Sequence, residues 1–272
     1  MRPGERHAAW LLLPAALFFL AFFLLPMGRL LLLGGSGGQG WSAYAAIVTD
    51  PGYRRALIST LVLAAATTAA TLAIAGVAGV FLQRHRFAGR SALVSMLTLP
   101  LAFPGVVVGF MVIMLAGRQG LIGRLSEVLV GDRLVFAYSI AGLFMGYLYF
   151  SIPRALLTLM AAAEKLDPRL EEAARSLGAS TWRVMVDVIL PGLKPALIST
   201  GAICFATSVG AFGTAFTLAT RIDVLPMLIY TEFTLAANIA MAAALSFALG
   251  AVTWAVLAVA RSAAGTTVAA GA

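Results

Sequence analysis

Asp167-Pro-Arg-Leu-Glu-Glu-Ala-Ala-Arg-Ser-Leu-Gly178, followed after nine residues by Val188-Ile-Leu-Pro191, is a polar helix-turn-helix set inside an otherwise apolar chain. Asp167 and Pro168 form an N-cap and N1 pair, and Glu171 and Glu172 lie near the positive end of the helix that follows. Ala173, Ala174 and Leu177 make a small-residue face that lets another surface come close. Gly178 fits a C′ position with positive φ, and Ser180 caps a second helix, expected from about Thr181 until Pro191 stops it. A short helix of this kind suits docking into a groove on a soluble partner, with ion pairs fixing orientation more than affinity. The competing reading is an amphipathic loop lying on a bilayer.

Working outward, 61% of the 272 residues are hydrophobic, against roughly 45–50% in a soluble domain. Six apolar stretches reach the roughly 20 residues that cross a bilayer: about 8–33, 56–82, 91–116, 134–157, 192–216 and 235–260. The expectation is an all-α polytopic membrane protein with one transmembrane domain over 1–272, a core of about 56–260 and the polar loop at 166–191. The first stretch is too long for a signal-peptide apolar region and lacks a small-residue cleavage site, so it reads as an uncleaved span. The net charge of +8 is scattered between the apolar runs, which fits positive-inside topology and not a nucleic-acid stripe. With both termini inside, Arg2, Arg6, Arg84, Arg86, Arg90, Arg154, Lys165, Arg169, Arg175, Arg183, Lys194 and Arg261 are cytoplasmic, 12 of the 19 basic residues. The polar loop then also faces the cytoplasm.

Several chemistries are missing. Lys165 and Lys194 are the only lysines, and neither stands in a phosphate-binding loop, so any nucleotide must be held by another subunit. No catalytic constellation is present. His7 and His85 have no Cys or carboxylate at metal-ligand spacing, and the single cysteine, Cys204, lies in an apolar run. The spans carry almost no ionisable residues, which disfavours an ATP-independent carrier or channel, the alternative reading. Tyr147, Tyr149, Thr207, Ser208, Thr214 and Asn238, with Gly210 and Gly213, are candidates for a neutral translocation path. Helix packing explains them equally well. The Gly105/Gly109 and Gly142/Gly146 spacings suit close helix approach, and Pro100 and Pro104 are expected to kink the third span. Asp223 to Tyr230 is expected to be interfacial.

The spacing resembles the cytoplasmic EAA loop of the inner-membrane permeases of binding-protein-dependent ABC importers, whose pattern is Glu-Ala-Ala, three residues, Gly, nine residues, then Ile-x-Leu-Pro, with Val188 here at the family's Ile position. Nearly the whole chain looks like a six-span, type I permease. Phe18 to Pro26, Leu99-Pro100 with Pro104, and Leu225-Pro226 with Ile229-Tyr230 look like the branch that includes spermidine/putrescine, ferric iron, thiosulfate and 2-aminoethylphosphonate permeases. The resemblance implies a bacterial inner-membrane subunit, not itself an enzyme, that imports a polyamine or other small solute. It implies a second permease subunit, the same or different, two cytoplasmic ATPases that bind the ATP, and a periplasmic or lipid-anchored binding protein. It assigns ATPase coupling to Glu171, Glu172, Ala173, Ala174, Leu177, Gly178 and Pro191. No cofactor or metal is expected on this chain.

Overall fold

The computed structural model describes residues 12–218 and 223–264; Arg2, Arg6, His7, Arg221 and the tail from 265 onward lie outside them. Every regular element among the described residues is helical. In chain order these are α1 (Leu12–Gly34), α2 (Ser42–Thr49), α3 (Pro51–Arg84), α4 (Arg90–Thr98), α5 (Gly105–Ala116), α6 (Leu121–Val130), α7 (Ile140–Glu164), α8 (Pro168–Ser176), α9 (Thr181–Val209), α10 (Phe212–Leu218), α11 (Leu225–Thr234) and α12 (Ile239–Ala264). Six stretches among the described residues are long and apolar enough to cross a membrane: α1, α3, Gly105–Val130, α7, α9 and α12.

The expected span boundaries move wherever backbone chemistry overrides hydropathy. Residues 91–116 do not form one kinked helix. α4 tightens into a 3-10 turn over Leu99–Ala102, Phe103 is extended, and α5 begins after Pro104. Pro104 has no N–H to donate, and its ring pushes Phe103 out of the helical region. The fourth span starts at Ile140 and not near Leu134, because the Ser139 hydroxyl caps it by accepting from Gly142 N–H at 3.4 Å, and it continues to Glu164. The second span starts at Pro51, where Asp50 Oδ1 accepts from the N–H groups of Gly52 (2.8 Å) and Tyr53 (3.2 Å).

Pro191 was expected to end a helix and does not. Met185–Ile189 forms a π-turn, with Leu190 N–H donating to the Met185 carbonyl, and α9 then runs through Pro191 and Pro195 to Val209. The wider turn accommodates a ring that would clash with an α-helical carbonyl four residues back. α9 finally breaks at Gly210, and the short α10 follows.

The described residues divide into two compact units, one of 12–57 with 228–251 and one of 58–218 and 223–227 with 252–264. In the first, the Tyr44 hydroxyl donates to the Leu31 carbonyl at 2.8 Å, and Tyr53 donates to Glu232 at 2.9 Å. Asn238, expected on a path, is the N-cap of α12 and accepts from Met241 N–H at 3.2 Å. In the second unit, α5 and α10 approach so closely that a Cβ at Gly109 would stand 2.6 Å from Thr217 Cβ. One at Gly146 would stand 2.6 Å from Thr214 Cγ2. Both glycines are thus helix-packing positions, whereas Gly142 faces the Ala137 carbonyl of its own N-terminal turn. Around this seam Val112, Leu143, Tyr147, Ala215, Leu218 and Val224 form a buried cluster.

Gly109→Val should overpack that seam and cost about 1–3 kcal/mol, lowering the unfolding temperature in detergent by several degrees. Gly28→Ala on α1, where a Cβ meets nothing within 4 Å, should leave it unchanged or slightly raised. Equal unfolding temperatures for the two variants would contradict this account of the seam.

Candidate functional site

The polar loop is built by local capping. Asp167 accepts from Arg169 N–H at 3.0 Å and starts α8 at Pro168. α8 closes with Gly178 N–H donating to Arg175 carbonyl (2.9 Å) and Ala179 N–H to Ala174 carbonyl (3.0 Å), with Gly178 at φ +86°. These paired bonds make a Schellman closure, which needs a left-handed residue at its turn. Ser180 Oγ then accepts from Arg183 N–H at 3.4 Å and opens α9.

α8 has two faces that the sequence alone did not separate. Ala174 and Ala179 pack inward on Val80, Ala163, Val184, Ile189 and Leu193. Glu171 also turns inward, 2.5 Å from Arg84 at the end of α3, with both side chains largely buried at 13% and 20% exposure. Arg84 further donates to the Leu166 carbonyl at 3.4 Å, so one guanidinium ties together α3, α8 and the turn between α7 and α8. Leu170, Glu172, Ala173, Leu177 and Gly178 lie outward; Leu177 is 89% exposed, and Trp182 at the start of α9 is 73% exposed. Two apolar side chains of that size, held in water by a rigid capped loop, form a surface suited to a partner. Pro191 lies further along α9 and is exposed.

The basic turn after α3 is also structural in part. Arg90 donates from Nε to the Leu82 carbonyl at 2.6 Å and from Nη2 to Gln83 at 3.1 Å, satisfying the end of α3. No group of three or more His, Cys, Asp or Glu that could hold a metal occurs among the described residues.

The path candidates differ in their surroundings. Tyr147 is buried and its hydroxyl donates to the Ala211 carbonyl at 2.9 Å, bracing the break between α9 and α10. Ser208 is buried, Tyr149 is half-buried, and Asn238 belongs to the other compact unit. Thr207 and Thr214 do share a cleft of about 330 Å³, lined also by Pro100, Phe103, Gly105 and Arg154. Thr214 donates to the Gly105 carbonyl at 3.0 Å, and Thr207 to the carbonyls of Ile203 (2.9 Å) and Cys204 (3.0 Å). Arg154, expected at the cytoplasmic rim, instead lies within the apolar helix α7, ten residues before its end at Glu164.

Six helical stretches long and apolar enough to cross a membrane, and an exposed capped loop of this spacing, mark an integral membrane subunit. Residues 73–265 match the family model described as "Binding-protein-dependent transport system inner membrane component", and the chain belongs to that family. It is 34% identical over 189 residues to the molybdenum transport system permease protein ModB of Escherichia coli K12, covering 68% of this chain and 81% of that protein. It is 31% identical over 210 residues to the sulfate transport system permease protein CysT of the same strain, covering 76% of this chain and 73% of that protein. The fold matches a chain from the crystal structure of a bacterial alginate ABC transporter in complex with an alginate pentasaccharide-bound periplasmic protein, with a TM-score of 0.80, 19% identity and coverage of 94% and 93%. The expectation of a polyamine substrate has no support among these relatives.

Gly178→Val forces a β-branched side chain to φ +86°, where the strain is of order 1–3 kcal/mol. Space is not the issue, since a Cβ there meets nothing within 4 Å. The variant should insert in the membrane normally yet lose the loop's closure, visible as faster proteolysis at 176–182. Wild-type protection of that segment would refute the closure argument. Glu171→Gln leaves Arg84 largely buried without its anion and should cost about 1.5–3 kcal/mol of loop stability. The change should be non-additive with Arg84→Met in a double-mutant cycle; additive effects would mean the pair contributes nothing.

Proposed function

We propose that this chain is the permease subunit of an ATP-driven importer of small tetrahedral oxyanions of the sulfate or molybdate type. The observation that carries the substrate class is the 34% and 31% identity to the molybdenum and sulfate permeases. The chain acts as a single transmembrane permease domain in a bacterial inner membrane, with both termini and α8 on the cytoplasmic side. It pairs with a second permease subunit, the same or different, to enclose the pathway. Two ATPase subunits carry out ATP hydrolysis, and a periplasmic or lipid-anchored protein delivers the oxyanion.

Coupling runs through α8 and the start of α9. Leu177, Ala173 and Trp182 seat in a groove on the ATPase, Glu172 sets orientation by charge, and Gly178 keeps the loop in its seated shape. Glu171 and Ala174 act from the other side, holding α8 to the body of the permease. Closure of the ATPase pair on ATP pulls the loops together and shifts the two permeases from an inward-open to an outward-open arrangement. Hydrolysis restores the first state. A carrier working alone would have no use for a rigid, exposed apolar loop.

The test is uptake of radiolabelled sulfate and molybdate by proteoliposomes holding the purified complex, its binding protein and internal ATP. ATP-dependent accumulation of either supports the reading; accumulation without ATP, or of a polyamine instead, refutes it. Glu172→Lys should weaken retention of the ATPase on an affinity-purified permease by about tenfold, through like-charge juxtaposition. Unchanged retention would remove Glu172 from the docking surface.

A further inference from the structure

Arg154 is the feature that the coupling loop leaves unexplained. It stands 14 residues after Ile140 and 10 before Glu164 on α7, so about 21 Å and about 15 Å from the two helix ends. Its guanidinium makes no ion pair or hydrogen bond among the described residues; the ion pairs found there are Arg84–Glu171 and Arg133–Glu127. Arg154 is exposed, and a cation within an apolar helix of spanning length is costly unless it faces water or an anion; such residues mark pathways. Arg154 does line a cleft, together with Pro100, Leu101, Phe103, Phe150 and Ala211 and with Thr207 and Thr214.

We propose that this cleft is an anion station on the permease itself, in which Arg154 takes a tetrahedral dianion of the sulfate or molybdate class. The assignment rests on the oxyanion reading given above. A planar guanidinium presents paired N–H donors that match two oxygens of such an anion, and it stays charged at every physiological pH. Apolar walls on a cleft with one sign of charge focus the field and raise the local anion concentration. Thr207, half-buried and with a hydroxyl that can also accept or be re-aimed, lies at the same cleft. The first turn of α5, at Gly105 and Val106, lines it too and has no side-chain cap, adding positive potential to that of the guanidinium. The arrangement also opposes passage of polyamines, which would bring like charge to Arg154.

Two readouts test this in the assembled transporter. With Cys204→Ala as background, Thr207→Cys should react faster with a sulfonate-bearing methanethiosulfonate than with the trimethylammonium analogue. Adding Arg154→Gln should reduce that preference about tenfold, whereas Arg154→Lys should keep most of it. In proteoliposomes, Arg154→Gln should lower oxyanion uptake about tenfold while the loaded binding protein still stimulates ATP hydrolysis. A wild-type complex that imports no oxyanion overturns the oxyanion reading and this assignment together. A wild type that imports, beside an Arg154→Gln variant equal to it in uptake and labelling preference, overturns the station alone. Thr207→Cys inert to both reagents, or loss of the partner permease from the Arg154→Gln complex, also overturns it, the latter by making Arg154 an assembly contact.

Discussion

Backbone amides and carbonyls that leave a helix inside an apolar medium find no water there, and each must be paired within the protein. The second compact unit is organised by how this requirement is met at its breaks. At the Phe103–Pro104 break, the Gly105 carbonyl is taken by Thr214. At the Gly210 break, the Ala211 carbonyl is taken by Tyr147. Between α6 and α7, Phe136 and Ala137 both donate to the Ala116 carbonyl at 3.1 Å, and Leu134 N–H donates to Ser126 Oγ at 2.8 Å. Leu225 N–H, at the start of α11, finds the buried Thr60 hydroxyl at 2.8 Å. Tyr147, Thr214 and Thr60 are thus committed to backbone at these breaks, whereas the buried hydroxyls of Thr67, Thr71, Ser151, Thr200 and Ser208 have no hydrogen-bond partner among the described residues.

This commitment explains which parts of the molecule were legible in the sequence. Six spans, the all-α class and the loop's caps follow from run length, Asp167, Ser180 and Gly178, all of which act locally. Tyr147 and Asn238 looked like path residues because a polar group in an apolar run signals function or packing with equal force. In the structure each is paired with backbone, Tyr147 with the Ala211 carbonyl and Asn238 with Met241 N–H. Pro191 misled for a similar reason. Proline breaks an α-helix, but a π-turn just before it restores continuity, and nothing in a hydropathy profile distinguishes the two outcomes. Glu171 and Glu172 are adjacent in sequence, and only the position of Arg84, 87 residues earlier, separates the buried one from the exposed one.

Arg154 shows the same limit from the other side. Hydropathy places the end of the fourth span near Leu157 because the segment Ala161 to Leu166 mixes alanine with Glu164 and Lys165. That places the arginine at the rim. The helix itself continues to Glu164, two turns beyond Leu157, so the arginine lies within it and not at its end. A residue read as a topology signal becomes a charge lining a cleft, with no counter-ion among the described residues.

The two sites lie on one continuous mechanical element. α9 begins at the Ser180 cap beside the Schellman turn and runs through Val209, a rod of about 43 Å at 1.5 Å per residue. Its lower part is packed against Val80 and Ala163, and its last two turns carry Thr207 to the cleft. Flexible connections would dissipate a displacement of the loop, but here α8 is joined to α9 by a capped turn of four residues, 177–180, and to α3 by the Arg84–Glu171 pair. Interfaces packed this closely respond by switching between discrete arrangements and not by bending. In the proposed cycle, movement of α8 with the ATPase is therefore carried along α9 to the Gly210 break. There α10, fixed to α5 through Thr214 and Gly105, must move with α5 or lose a buried hydrogen bond. That choice favours α5 and α10 moving as one body, and it makes the Gly210 break and the turn at Phe103–Pro104 the joints on either side of Arg154.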